Sequence, residues 1–314
     1  MISNNSNNSS GMMHIRSLAV HEHTATVAVW ENPNSTVLPI HFAQGNGFVA
    51  GVYRQMIEPL AQQHTVYATH HRASWASVHP HQPPSRFTWA SAADDLIASL
   101  DALNRERATH SADTASTQKF IGVGHSLGGV MTLIAAYRRP DLFEKIVLIE
   151  PVMFPNRAIW TLNTIPMALR YRLLPMAKRT LNRRDVWGSH QEFMDYHARK
   201  SAFHGIPPSV MQDYAHYGLR ARERQDGLEL SFPKTWEAHI FRTISNGWQA
   251  LKELKVPCVA IRGAESQWIP QRSWDKWQRM RPDVPVLVMP EVGHMAPLQQ
   301  PQEMAQWVLR CIER

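Results

Sequence analysis

The sequence predicts an α/β protein with a doubly wound, mostly parallel sheet and an inserted helical segment. Short apolar runs of strand character alternate with amphipathic helical patterns along most of the chain. One of these runs ends in a glycine-flanked turn that leads into an apolar, Ala-rich helical pattern after residue 126. Residues 152–246 lack strand alternation and interrupt the series. Right-handed crossovers between such strands give a parallel sheet, and ligands bind beyond the carboxyl ends of its strands.

The first part of the chain predicts strands, two helices and two connecting segments. Strand-like runs cover residues 20–30, 37–43, 65–69 and 120–123. Helical spacing covers residues 51–62, where Tyr53, Met56, Ile57 and Leu60 share one face, and residues 89–103. A loop rich in His, Pro and Ser follows at residues 70–86, and a polar connector at residues 110–118.

The second part of the chain predicts the remaining core and an insertion. Buried strands are expected at residues 146–149, 256–262 and 286–289, with a closing helix at residues 302–312. The core therefore comprises residues 15–151 and 247–314. Residues 152–246, rich in Arg, Trp, Tyr, Met and Pro, are expected to form a helical cap over the site. Residues 1–14 are polar without a signal-like apolar run, which predicts a disordered tail.

Composition limits the classes of function. A chain of 314 residues with 44% apolar residues can bury one substantial core. The formal net charge is +7, and residues 151–184 hold seven Lys or Arg and no acid. Because no nucleic-acid-binding motif accompanies these charges, they indicate a solvated face or attraction toward anionic molecules, and no nucleic-acid partner is predicted.

The cysteines and histidines give no sign of a disulfide or a metal site. Cys258 lies in an apolar strand-like run and Cys311 in the closing helix, which is typical of small buried hydrophobic residues. The seventeen histidines show no ligand spacing typical of a metal centre. No apolar run reaches membrane-spanning length. We therefore expect no metal, no transmembrane segment and a cytoplasmic location.

The glycine-flanked turn reads Gly124-His125-Ser126-Leu127-Gly128 and has the pattern of a nucleophile elbow. A serine at the tip of a sharp strand-to-helix turn needs small neighbours, which the two glycines supply. The turn places the N–H of Leu127 and the positive end of the helix dipole beside the Ser126 hydroxyl, where an oxyanion would form. The pattern thus predicts Ser126 as a nucleophile.

The chain resembles the α/β-hydrolase family in three features: this elbow, the strand that precedes it, and a Gly-His pair near the end of the chain. The resemblance covers residue 27 to the end and implies the order nucleophile, acid, histidine. His294, in Glu291-Val-Gly-His-Met-Ala-Pro297, follows the last predicted strand and matches the family's Gly-His segment. The resemblance therefore implies His294 as general base and acid, because a serine hydroxyl is a poor nucleophile without one.

The acid departs from the commonest family pattern. The family usually has an Asp a few residues past the glycine of Ile261-Arg-Gly-Ala-Glu-Ser-Gln267, where this chain has Ser266 and Gln267. Glu265 is close but its register is shifted. Glu150 ends an apolar strand, a position that carries the acid in some family members, and burying a carboxylate there requires a specific partner. We favour Glu150 as the acid and keep Glu265 as the alternative.

The resemblance also implies an oxyanion hole and a substrate pocket. The loop His41-Phe-Ala-Gln-Gly-Asn-Gly-Phe48 matches the family loop that supplies a second N–H, which implies the amides of Phe48 and Leu127 as donors. His125, Phe154 and Trp268 are candidate pocket residues. The insertion carries a pattern similar to general hydrolases of the family: Arg183-Arg-Asp-Val-Trp187, Tyr214-x-x-x-Gly218 and Glu237-Ala238.

These residues together imply a serine hydrolase of the esterase-like type. It would cleave a carboxylic ester, or a thioester, lactone or amide, of a small apolar substrate through an acyl-enzyme, without a cofactor. Two alternatives stay open: a carbon–carbon bond hydrolase of the same fold, and a catalytically silent binding protein on the same scaffold. The sequence does not define the oligomeric state.

Overall fold

The computed structural model describes residues 12–79, 81–110, 118–223 and 225–314. Most of the predicted tail and connector, residues 1–11 and 111–117, therefore lies outside the described residues. The strands are β1 (Met13–Val20), β2 (His23–Trp30), β3 (Ile40–Ala43), β4 (Val66–Thr69), β5 (Phe120–His125), β6 (Phe143–Ile149), β7 (Val186–Trp187), β8 (Leu219–Ala221), β9 (Leu228–Leu230), β10 (Cys258–Gly263) and β11 (Val286–Met289).

The α-helices connect these strands and form the insertion. They are α1 (Arg54–Ala61), α2 (Trp89–His110), α3 (Leu127–Arg138), α4 (Asn156–Thr164), α5 (Met167–Leu173), α6 (Pro175–Leu181), α7 (His190–Ala198), α8 (Pro208–Gly218), α9 (Lys234–Arg242), α10 (Trp248–Glu253), α11 (Gln271–Met280), α12 (Ala296–Gln299) and α13 (Pro301–Glu313).

The central sheet has eight strands in the order β1-β2-β4-β3-β5-β6-β10-β11. The pairs β1–β2 and β2–β4 are antiparallel, and the other neighbouring strands run parallel. Every residue of β3, β4 and β5 is buried, because helices cover both faces of the sheet. Helices α2, α3 and α10 pack on one face, and α1 and α13 on the other. The predicted fold class is confirmed.

The amino-terminal strands differ from the prediction. The run predicted as one strand at residues 20–30 is the second strand of a hairpin, in which Met13 pairs with Trp30 and Val20 with His23. The chain turns at His21, whose φ is 52°. The first five residues of β1 have exposed or partly exposed side chains, and only Leu18 and Val20 are buried. The strand therefore shows little alternation between buried and exposed positions. Since β1 begins at Met13, the predicted tail is wrong at residues 13 and 14.

Helix and strand ends also move by several residues. Helix α2 continues to His110, beyond the predicted end at residue 103, and β3 begins only at Ile40 within the run predicted from residue 37. A 3₁₀ turn, Ala50–Tyr53, precedes α1. A second one, Arg72–Ser74, lies within the segment predicted as a loop.

The insertion, residues 152–246, contains helices α4 to α9 and a small antiparallel sheet in the order β7-β9-β8. The sheet was not predicted, because strands of two or three residues are too short to show a period. Trp187, Phe193 and Tyr214 are buried where this sheet, α7 and α8 meet. These aromatic side chains belong to the same buried cluster as side chains of β3 and α1, and α8 packs against the turn at Ala50–Tyr53.

Both cysteines are buried and unpaired, as the sequence predicts. Within the described ranges, no helix combines the length and the apolar character needed to cross a bilayer. The same ranges contain no group of three or more His, Cys, Asp or Glu side chains arranged to hold a metal ion.

Candidate active site

Ser126 lies at the tip of a sharp turn between β5 and α3. Its φ of 57° and ψ of −115° place a non-glycine residue in a rarely populated region. A Cβ at Gly124 would lie 2.4 Å from the carbonyl oxygen of Gly128, and one at Gly128 would lie 2.1 Å from that of Ala43. Both glycines are therefore required by the packing of the elbow, as the sequence pattern predicts.

Ser126, His294 and Glu150 form a continuous chain of hydrogen bonds. The Ser126 Oγ lies 3.0 Å from His294 Nε2, and His294 Nδ1 lies 3.0 Å from Glu150 Oε2. An ionised carboxylate only accepts hydrogen bonds, so Nδ1 carries the proton and Nε2 is left to accept the serine hydroxyl. The geometry is that of a nucleophile, a base and an orienting acid.

Glu150 directly follows β6 and is 0% exposed. Its φ of 50° turns the side chain toward the His294 loop, and its Oε1 accepts a hydrogen bond of 2.7 Å from the Gly263 N–H. The Glu265 side chain is exposed, and its backbone N–H donates to the carbonyl oxygen of Val292. Of the two acids that the sequence offered, the structure therefore brings Glu150 to His294.

Ser266 holds the Glu150 carboxylate, a contact that sequence reasoning missed. Its hydroxyl donates to Glu150 Oε2 over 2.6 Å. Ser266 occupies a position where the resemblance leads one to expect the acid itself. The signal in the sequence was a small polar residue at the position of the usual acid, because a side chain at that position faces the His294 loop.

Backbone strain concentrates around this site. In the described part of the chain, four non-glycine residues have positive φ, and three of them are Ser126, Glu150 and Glu291 of the His294 loop. Such conformations persist only where the surroundings hold them, and they cluster at functional sites.

His125 connects the His294 loop to Tyr53 through two hydrogen bonds. Its Nε2–H donates to the His294 carbonyl oxygen over 2.9 Å, and its Nδ1 accepts the Tyr53 hydroxyl over 2.8 Å. The Tyr53 oxygen in turn accepts the Gly45 N–H. Burial, together with the nearby His294, lowers the pKa of His125 to about 3. His125 borders the cavity, as predicted for a pocket residue, but both of its ring nitrogens already have partners in the protein.

A cavity of about 450 Å³ opens above Ser126 and His294, between the core and the insertion. Phe154 and Trp268, both predicted pocket residues, lie in its wall. Trp268 stacks on the His294 ring with 4.9 Å between centroids and is 42% exposed. The wall also includes apolar side chains from both parts of the chain: Trp89, Leu127, Val152, Ile159, Leu162, Met176, Phe203 and Phe241. Its size and lining suit a small organic ligand.

The predicted oxyanion donors, Phe48 and Leu127, belong to two different segments of the chain. Leu127 is the first residue of α3, whose opening N–H groups have no partner within the helix. The Phe48 N–H makes a long turn hydrogen bond of 3.3 Å to the Gly45 carbonyl oxygen. Both residues line the cavity, and the assignment of their amides to an oxyanion stays a prediction.

The insertion contributes three ionisable residues to the cavity wall: Arg183, Tyr214 and Glu237. Arg183 Nη2 lies 2.6 Å from Glu237 Oε2. Burial raises the pKa of Glu237, and the adjacent guanidinium opposes that change. Burial raises the pKa of Tyr214 to about 12, so its hydroxyl stays protonated at neutral pH. The sequence pattern named all three residues but gave no sign that they meet.

The sequence matches the model of the alpha/beta hydrolase family over residues 38–307, and the chain belongs to this family. The uncharacterized hydrolase YugF of Bacillus subtilis (strain 168) is 21% identical over 201 residues. That match spans 61% of this chain and 64% of YugF. The chain thus spans less than two thirds of the length of this curated relative.

Solved structures of the same fold cover nearly the whole chain. The crystal structure of E-2-(acetamidomethylene)succinate hydrolase has a TM-score of 0.74 at 20% identity, over 96% of this chain and 100% of that one. The peroxisomal alpha-beta-hydrolase Lpx1 of Saccharomyces cerevisiae has a TM-score of 0.72 at 18% identity, over 96% and 88%. At such identities the likeness shows the fold alone.

Proposed function

We propose that the protein is a serine hydrolase that cleaves a carboxylic ester through an acyl-enzyme. The observation that carries this proposal is the hydrogen-bonded chain from Ser126 to His294 to Glu150, with 3.0 Å at each step. A thioester, lactone or amide would use the same steps. The apolar cavity above Ser126 supports a small substrate with an apolar acyl or aryl part.

The first half of the reaction acylates the serine. Ser126 Oγ attacks the carbonyl carbon while its proton passes to His294 Nε2. Negative charge moves to the carbonyl oxygen, which the N–H groups of Leu127 and Phe48 would bind once Phe48 gives up its long turn bond. When the intermediate collapses, the leaving alkoxide takes the proton from His294, and the acyl group stays on Ser126.

The second half returns the enzyme to its starting state. Water attacks the acyl carbon while His294 Nε2 takes one of its protons. Collapse of the second intermediate breaks the bond to Ser126 Oγ, which regains its proton from His294. Throughout, Glu150 holds the Nδ1–H of His294 and stabilises the imidazolium that forms twice in each cycle.

Residues 152–246 serve as a cap in this proposal. Helices α4 and α6 supply Ile159, Leu162 and Met176 to the cavity wall opposite the elbow. A cap in that position limits the length of the acyl group that the cavity admits.

Ester turnover tests this function. We expect p-nitrophenyl esters from acetate to laurate to be hydrolysed, with a preferred chain length that a cavity of about 450 Å³ admits. Ser126→Ala and His294→Ala should each lower kcat by roughly three or more orders of magnitude. Ser99→Ala, which alters a buried serine bonded to the Asp95 carbonyl, is the matched control and should stay active. Equal activity in Ser126→Ala and the unmodified protein would refute the proposal.

A further inference from the structure

Three polar side chains of the insertion meet in the otherwise mostly apolar wall of the cavity. Arg183 follows α6, Tyr214 lies on α8 and Glu237 on α9. Arg183 pairs with Glu237, and Tyr214 lines the same cavity. The same cavity is bordered by Ser126 and His294. The cluster therefore faces the space that a substrate of Ser126 would fill.

The cluster also lies directly against the loop at residues 45–48. The Asn46 Nδ2 donates to the Glu237 carbonyl oxygen over 3.1 Å. A Cβ at Gly47 would lie 2.9 Å from the Glu237 carboxyl carbon. Because Phe48 is the proposed oxyanion donor, the cluster lies close to the position of the reacting carbonyl.

Stability alone does not account for this ion pair. Replacing a buried ion pair by apolar side chains of similar volume is often neutral or stabilising. A guanidinium carries five N–H donors, and the Nε of Arg183 has no hydrogen-bond partner within the described ranges. The Arg183 side chain is 24% exposed and forms part of the cavity wall. Its Nε is thus a buried donor without an acceptor in the described part of the protein, and a ligand in the cavity would supply one.

We propose that Arg183 binds a carbonyl oxygen of the substrate that lies a few bonds from the scissile carbonyl, as in a keto-acyl ester. The adjacent Glu237 carboxylate makes the pair neutral overall, which favours an uncharged acceptor over a carboxylate. Glu237 holds the guanidinium in place. This proposal names the substrate class of the site and rests on the proposed function.

A pair of esters of nearly equal shape tests it. Phenyl 4-oxopentanoate and phenyl pentanoate differ by one keto oxygen. A hydrogen bond to a charged group should make kcat/KM for the keto ester roughly ten- to a hundredfold higher than kcat/KM for phenyl pentanoate. The ratio of these two values measures the preference. In Arg183→Met this ratio should fall toward one. Arg184→Met is the matched control, because Arg184 is exposed and pairs with Glu192 instead; it should keep the ratio.

Several outcomes would overturn the proposal. A merely structural role of Arg183 lowers kcat/KM for both esters by the same factor and leaves the ratio unchanged. A preference for phenyl hydrogen succinate that is lost in Arg183→Met would show that the bound group is a carboxylate.

A binding measurement separates this proposal from the proposed function. Calorimetric titration of Ser126→Ala with phenyl 4-oxopentanoate measures affinity without turnover. We expect at least tenfold weaker binding in Ser126→Ala/Arg183→Met. Equal affinities would overturn the role of Arg183, whereas turnover in Ser126→Ala would overturn the serine mechanism.

Discussion

Both oxygens of the Glu150 carboxylate accept hydrogen bonds. Three donors reach it: the Gly263 N–H, the Ser266 hydroxyl and His294 Nδ1. A buried charge is costly unless hydrogen bonds replace its water, and three such bonds do so here. These hydrogen bonds hold the carboxylate in position beside His294.

Replacing Glu150 should separate the two acids that the sequence offered. Glu150→Gln keeps the volume but removes the charge that orients His294, and we expect kcat to fall by about a thousandfold or more. Glu265→Gln, at an exposed position, should change kcat by less than about twofold. Ester hydrolysis at pH 8 measures both. A large loss in Glu265→Gln with normal turnover in Glu150→Gln would reverse the assignment.

Ser266 is expected to act on the reaction through Glu150. Ser266→Ala removes one donor from Oε2 and should lower kcat by about tenfold with little change in KM, since a hydrogen bond to a charged group contributes about 1.5–3 kcal/mol. Ser266→Thr retains the hydroxyl and is the matched control, with kcat close to the unmodified value. Equal losses in both variants would point to packing instead of hydrogen bonding.

The sequence predicted the residues of a single motif better than it predicted contacts between residues in distant segments. Ser126 and the glycines around it lie in one short pattern, so the elbow was predicted from the sequence and is present in the structure. Ser266 and Glu150 are 116 residues apart, and no local pattern joins them. The meeting of Arg183 with Glu237 likewise depends on how α6 and α9 pack.

The turn between β5 and α3 packs so closely against neighbouring backbone that Gly128 has no room for a side chain. Gly128→Ala would place a Cβ 2.1 Å from the Ala43 carbonyl oxygen, and we expect a loss of about 3 kcal/mol or more in the free energy of unfolding. At Gly129 the nearest atom would lie at 3.1 Å, so Gly129→Ala is the matched control with a much smaller effect. Urea unfolding measures both variants. Similar losses in the two would contradict this account of the turn.

Elements buried on both faces were the most predictable ones. Strands β5, β6 and β10 are short, mostly buried apolar runs between turn signals, and the sequence predicts each within a few residues. Strand β1 has a mixed, half-exposed pattern, and β7 to β9 are too short to show a period. Their pairing depends on neighbouring strands instead of on their own side chains.

At the scale of the whole molecule, buried neutral histidines make stability depend on pH. Among the described residues, burial lowers the pKa of five histidines from about 6.5 to values of about 3 to 4: His41, His70, His71, His125 and His197. The unfolded chain binds protons at these residues below pH 6.5, whereas the folded chain does not. Stability is therefore full above pH 6.5 and is lost as the pH falls toward 4.

We expect the free energy of unfolding to fall by several kcal/mol between pH 7.5 and 5, since each such histidine contributes about 1.4 kcal/mol per pH unit. Urea unfolding at the two pH values measures the change. His197→Phe, in an aromatic cluster of the insertion, should reduce the dependence by about one histidine's share. Equal unfolding free energies at both pH values would contradict the assignment of these histidines as neutral.

Labelling with a fluorophosphonate probe tests whether Ser126 is the nucleophile of a hydrolase. We expect one phosphonyl adduct by intact-protein mass spectrometry, mapped to the peptide that contains Ser126. The adduct should be absent from Ser126→Ala and form far more slowly in His294→Ala. A folded, unmodified protein that gains no adduct, or that gains it at another residue, would contradict the account.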